Sequence, residues 1–275
     1  ENISLNENNE IIWKDNKVGK LKRGHDYLSP EIEVITDESI EYDTKVKLEN
    51  FLKKWLDQHL YEVLGDLINL TKNKIENQYL RALMFQLYEK NGVVKREDIN
   101  HIVKLISLEE RKKLWAMGIK IGRYHIFLHK MLKPKAVTFR ISLWKLFYEL
   151  STNLEIPQFG LNFLSNKGYN KDFLLLCGFE NFKEHFVRID ILEKLFIKIL
   201  GKTKNRKFKI DAEMMNLLGC SKEDFHKLMH NMNYKKDKNN KENYEFLGET
   251  KKKDRNFKPF NSSSPFKKLL TLNLK

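Results

Sequence analysis

The chain has 275 residues, 41% hydrophobic and 32% charged, with a formal net charge of +14. That balance excludes a membrane bundle and a wholly disordered chain, and the positive surplus points to a polyanionic partner, nucleic acid before a membrane surface. With 12 Gly and 5 Pro, long helices are expected rather than a sandwich or propeller, and two cysteines (Cys177 and Cys220) exclude a disulfide scaffold and suit a reducing cytoplasmic compartment.

Residues 1–8 are polar and read as a frayed linker; a first residue of Glu, not Met, reads as a piece of a longer protein. Ile11-Ile12-Trp13 and Val18-Gly19-Lys20-Leu21 read as two short strands around a turn, and Ile32, Val34 and Ile35 as a third extended piece. From Asp43 the apolar period becomes helical. Leu48, Phe51, Leu52, Trp55, Leu56, Leu60, Val63, Leu64 and Leu67 predict a long amphipathic helix, capped by Asp43 or Thr44. A second helix is expected over about 75–90, ended by Asn91-Gly92, and a third over 96–106. Ser107-x-x-Glu110 is a capping box for a fourth, stopped by Gly118.

Ile119–Leu128 alternates and reads as extended or irregular. Pro134 sits where the first residue of a helix would, and the following helix to Leu150 is apolar almost all round. Residues 157–168 read as a loop and a domain boundary. Shorter helices are expected over about 171–176, 190–200, 212–218 and 222–231, capped by Asp190, Asp211 and Ser221 where caps are apparent. Residues 235–275 hold 12 Lys and Arg against 5 Asp and Glu, and read as a disordered basic tail in which Ser264–Leu270 is a candidate docking motif. The expected fold is mainly α: a multi-helix bundle with a small N-terminal β element and a disordered basic C-terminal tail. Its expected parts are a linker and β element (1–41), a helical domain (42–156), a second small helical domain (157–234) and the tail (235–275).

Several motifs carry competing readings. Gly201-Lys202-Thr203 looks like half a phosphate loop, but Phe196 stands where the loop needs its first Gly, so it reads as a helix end. His125-x-x-x-His129 and His226-x-x-x-His230 have metal-ligand spacing, the second near Cys220; surface histidines are the plainer reading. No acid–base or nucleophile pattern stands out. The segment 211–234 spaces two helices as a helix-turn-helix would, although a plain helical hairpin is favoured because the second helix has only Lys222 and Lys227 for phosphates. The most suggestive stretch is Lys120, Arg123, Tyr124, His125, Lys130, Lys133, Lys135 and Arg140, interleaved with Phe127. Cations that neutralise phosphates beside rings that stack on bases suit single-stranded nucleic acid; the alternative is a solvated rim with its aromatics in the core.

Several blocks, in order, resemble a known family. They are Val18-Gly-Lys-Leu-Lys-Arg-Gly-His-Asp-Tyr-Leu-Ser-Pro30, Gly92-Val-Val-Lys-Arg96, and Gly118-Ile-Lys-Ile-Gly-Arg-Tyr-His-Ile-Phe-Leu-His-Lys-Met-Leu-Lys-Pro134. Phe186-Val-Arg-Ile-Asp-Ile-Leu-Glu-Lys-Leu195, Met214-Met-Asn-Leu-Leu-Gly-Cys-Ser221 and Ser264-Pro-Phe266 follow. Together they resemble the C-terminal part of the alphaproteobacterial superfamily-two DExH-type RNA helicases related to the mitochondrial degradosome helicase. The resemblance implies an accessory role, guiding single-stranded RNA past an upstream ATPase core or docking RNA-degradation partners. ATP and magnesium would belong to that core; no cofactor, catalytic residue or metal is expected in this chain, and no membrane contact. A protein-interaction scaffold and a helix-turn-helix nucleic-acid binder are the alternatives.

Overall fold

Strands β1 (Ile3–Leu5), β2 (Glu10–Trp13), β3 (Asn16–Asp26) and β4 (Ser29–Val34) form an antiparallel meander in chain order. The structure, a computed structural model, describes residues 3–36, 41–72, 75–150, 154–165, 168, 170–204, 206–237 and 243–246. Lys14 and Asp15 both take positive φ (47° and 67°) between β2 and β3, the turn whose twist matches a two-residue hairpin. Residues 3–5, expected in a linker, are instead the edge strand, with Ile3, Ser4 and Leu5 opposite Trp13, Ile12 and Ile11.

Helix α1 (Tyr42–Lys72) lies against this sheet. It buries Leu52, Leu56, Leu60, Leu64 and Leu67, a stripe at spacings of three and four. Ile11 and Leu21 of the sheet join these leucines in one core with α2 (Gln78–Glu89) and Leu143.

The remainder is one pattern used three times. The first unit is α2, β5 (Val93–Lys95), α3 (Arg96–Lys104), α4 (Leu108–Ala116), β6 (Ile119–Ile121) and β7 (His125–Leu128). After a 3₁₀ turn (His129–Leu132), the second is α5 (Pro134–Phe147), β8 (Phe163–Ser165), α6 (Lys171–Leu176), β9 (Phe179–Phe182) and β10 (His185–Arg188). The third is α7 (Ile189–Lys202), β11 (Lys207–Lys209), α8 (Ala212–Leu218), α9 (Lys222–Asn231), β12 (Tyr234–Lys236) and β13 (Asn243–Phe246). In each, the last strand of the unit lies centrally between the other two. The register is the same as well. Ile126 opposes Val94 and Ile121, Phe186 opposes Leu164 and Asn181, and Tyr244 opposes Phe208 and Lys236. In each unit one residue with left-handed backbone turns the chain from the preceding helix into the hairpin: Gly118 (φ 82°), Gly178 (φ 92°) and Asn233 (φ 65°). Among the described residues one helix stands between β8 and β9, where the other units have two.

The expected mainly-α bundle is therefore corrected: the described residues are 51% helix and 25% strand, with four small antiparallel sheets. Strands of three or four residues show too little alternation to betray a period of two, and several of them, such as Val93-Val94 and Phe186-Val187, are buried short apolar runs. Strand β8 lies inside the segment expected as a boundary loop. Strands β12 and β13 lie almost wholly inside the segment expected as a tail. Residues 247–275, and the Ser264–Leu270 motif with them, fall outside the described residues.

Most helix signals hold locally, but Asp43 and Thr44, expected as caps, lie inside the first turn of α1. Ser107 and Glu110 form the reciprocal capping box, and Asp211 and Ser221 cap α8 and α9. Pro134 opens α5, and Gly201-Lys202 ends α7. Asp190 is not a cap; it lies in the first turn of α7 and pairs with Arg188, Nε to Oδ1 at 2.6 Å.

Candidate nucleic-acid interface

The basic segment 120–140 is spread over β6, β7, the 3₁₀ turn and the start of α5, and each element decides where its side chains go. In β6 the pleat buries Ile119 and turns Lys120 to solvent. All four residues of β7 are buried. Ile126 and Leu128 enter the large core, while Phe127 packs with Val93 and Ile189. The chain then emerges at His129 and Lys130, and Lys133, Pro134 and Lys135 are exposed.

Three of the expected contacts are thereby corrected. Arg140 is fully buried. Its guanidinium donates through Nη1 and Nη2 to the carbonyls of Asn91, Met131 (3.1 Å) and Leu176 (2.9 Å), and burial keeps its remaining edge from a phosphate. His125 is buried with its Nε2 2.5 Å from Glu180 Oε2, and Glu180 Oε1 accepts from Lys95 Nζ at 2.7 Å. Tyr124 is half-buried, edge-on to Phe182 and Phe196, with its hydroxyl bonded to Tyr234. Phe127 is inside. Phe127 is core and Tyr124 packs against the core of the third unit, so neither ring stands free in solvent.

The tip of the β6–β7 hairpin has a structural task. The Glu193 carboxylate of α7 accepts the backbone N–H groups of Arg123 (2.6 Å), Tyr124 (2.8 Å) and His125 (3.1 Å). A side chain at Gly122 would collide with that carboxylate, its Cβ lying 2.2 Å from Glu193 Cδ. Arg123 is exposed beside the tip, with its guanidinium 5.9 Å from the centre of the Phe196 ring. Lys130 is held by Asp66 at 3.0 Å.

What does converge is a smaller group. Burial first, then the fields of Lys120, Lys133 and Lys194, hold the His129 imidazole below its ordinary pKa, with Asp190 opposing them. Lys120 comes from β6, His129 from the 3₁₀ turn, Lys133 from the cap position of α5 and Lys194 from α7. Lys133 gives the start of α5 no side-chain cap, so a helix N-terminus with positive dipole lies beside these cations. Lys135, the second residue of α5, is exposed and acts on His59 of α1 instead. Sequence reasoning found Lys120 and Lys133 but not Lys194, which the fold brings in from another unit. Its signal in the sequence is no stronger than that of any exposed helical lysine.

Among the described residues no group of three or more His, Cys, Asp or Glu is arranged to hold an ion. His226 instead has Nδ1 2.5 Å from the Tyr244 hydroxyl. Among the described residues no helix is long and apolar enough to cross a membrane. Comparisons with protein families, with curated proteins and with solved structures return no match for this chain.

Proposed function

We propose that this chain binds single-stranded RNA as the accessory region of an ATP-dependent RNA helicase, with the backbone of the strand held at Lys120, His129, Lys133 and Lys194. The observation that carries the RNA role is that Lys120 of β6, His129 of the 3₁₀ turn, Lys133 at the start of α5 and Lys194 of α7 are all exposed and near enough for the three lysines to act on the histidine, adding to the larger effect of burial on its pKa. Like charges gathered on one surface suit a polyanion. The net charge of +14 supports the same reading. The helicase assignment rests on the ordered sequence blocks; ATP and magnesium belong to the motor segment, and no residue here is assigned to them.

The test is binding of a single-stranded oligoribonucleotide at rising salt. Each phosphate contact releases about 0.7 counterion from a single strand, so three to four contacts give a log–log slope of roughly −2 to −3. The triple variant K120A/K133A/K194A loses most of that slope. No binding at low salt by the full chain refutes the proposal.

A second reading is duplex recognition by the third unit. It is favoured by the three-residue turn Gly219-Cys220-Ser221 between α8 and α9 and by the β12–β13 hairpin that follows. Against it, Asn231 of α9 donates to the Phe182 carbonyl and Asp224 faces His185, so one side of α9 is turned to the second unit. Lys227 is held by Glu223 at 2.8 Å. Tighter binding of duplex than of single strand, lost in K222A/K227A, would favour this reading over the first.

A further inference from the structure

With Tyr124 and Phe127 in the core, a strand at the cationic group lacks the stacking rings first expected for it. Helix α4 supplies one. Of its nine residues only Leu114 is buried, and Trp115 is 72% exposed. The other tryptophans are half-buried and have ring neighbours: Trp13 against Phe51, Trp55 against His59, Trp144 against Phe173. Among the described residues no ring packs on Trp115. Trp115 and Leu108, seven residues apart on α4, leave apolar surface in water on one face of the helix, and exposed apolar surface rimmed by charge suits a contact site.

We propose that Trp115 is the stacking platform for an unpaired base of the RNA whose phosphates lie at Lys120, His129, Lys133 and Lys194; this deepens the RNA-binding proposal above and rests on it. Three observations place it there. Lys112, one turn earlier, is exposed and shares a helix face with Trp115. Of the two acids in the first turn of α4, Glu110 closes the capping box with Ser107 and accepts from Asn77, and Glu109 stands six residues before Trp115. Finally, α4 ends at the cationic group itself, since the Gly118 carbonyl accepts the His129 N–H at 3.1 Å. Trp115 stands three residues before Gly118, about 4.5 Å along the helix axis. A ring that accepts any base, next to cations that hold phosphates, recognises unpaired RNA without reading its sequence. Leu105 and Leu108 are also exposed nearby, at 56% and 76%. A protein ligand is the competing occupant, but it would have to neutralise Lys112 and Lys120 together.

The experiment uses the full chain, an oligouridylate of about 12 nucleotides and an RNA duplex of equal length at low salt. W115A is expected to weaken single-strand binding on the order of tenfold or more, to leave duplex binding within about twofold, and to be largely rescued by W115F. Quenching of tryptophan emission by the oligouridylate should vanish in W115F. Melting curves of W115A should match the parent, because the ring is not in the core. If W115A binds oligouridylate like the parent while K120A/K133A/K194A does not, the stacking proposal falls, the RNA proposal stands, and the α4 face passes to a protein partner. Equal losses for single strand and duplex would also overturn stacking. If neither the parent nor W115A binds RNA at all, the RNA proposal itself has failed.

Discussion

His125 Nε2 stands 2.5 Å from Glu180 Oε2, although the histidine opens the central strand of the first unit and the glutamate belongs to the hairpin of the second. His185 occupies the equivalent register position in the second unit, and its Nε2 lies 3.8 Å from Asp224 of the third. Each buried histidine thus faces a carboxylate of the next unit. The units are joined by polar ties as well as by apolar packing.

Those ties should be measurable as coupling. Burial pushes the Glu180 carboxyl up, but the bonds from His125 and Lys95 outweigh it and its pKa is lowered. E180A should cost about 3–5 kcal/mol, because it strands a buried histidine. A double-mutant cycle of H125A and E180A in urea should show about 1 kcal/mol or more of coupling. Additivity within about 0.5 kcal/mol would mean the pair is not a tie. The Glu180 carboxyl is held below its ordinary 4.5, so its contribution is present above that pH and lost as pH falls through the folded value.

The three depressed histidines act in a different window. His59, His129 and His226 are all lowered from 6.5, in each case first by burial. The unfolded chain then binds protons more readily than the folded one just below 6.5, so stability falls as pH drops through that value. RNA should reverse this for His129, whose neighbours Lys120, Lys133 and Lys194 would be neutralised by phosphate. NMR titration should show the His129 pKa rising on RNA binding and those of His59 and His226 unmoved. RNA affinity should accordingly increase as pH falls below 6.5. A His129 pKa unchanged by bound RNA would place the phosphates elsewhere.

The hairpin tip offers a third measurement. Three backbone N–H groups converge on Glu193, a concavity of the kind that binds anions, here filled by the chain's own carboxylate. E193Q keeps the shape but loses the charge, and should cost about 1–3 kcal/mol. G122A should cost at least as much, since its Cβ would have to displace Glu193. Urea unfolding of both variants decides it; a neutral G122A would show that the tip moves freely off α7.

Much of this architecture was written in local signals, and the rest depended on long-range placement. Helix ends were readable because a cap is decided within four residues, as at Ser107, Asp211 and Ser221. The repeat left one trace, Gly118 and His125 recurring sixty residues on as Gly178 and His185. The third unit has Asn233 and Asn243 at those places, which hides the period. The candidate interface was half visible. Alternation in β6 exposes Lys120, but nothing local says that Arg140 points inward, that His125 finds a carboxylate 55 residues away, or that Lys194 joins from α7. Trp115 was hidden for the opposite reason: a tryptophan in a helix is ordinarily core, and only the packing shows α4 lying on the surface.

Arg140 separates the two roles a basic residue can play here. Its guanidinium joins Asn91 of the turn into β5, Met131 of the 3₁₀ turn and Leu176 at the end of α6, so it fastens the first unit to the second. Burial pushes its pKa down to about 10, which leaves it charged at neutral pH. Methionine fills similar volume but leaves those carbonyls without donors, and R140M should cost about 2–4 kcal/mol. Lysine should serve little better, since a compact ammonium cannot reproduce a planar fork that reaches separate acceptors. Both variants, held at a temperature where they remain folded, should bind single-stranded RNA with the affinity and salt slope of the parent. A loss of slope by about 0.7 in folded R140M would instead restore Arg140 as a phosphate contact and would require the α5 helix to open toward the strand.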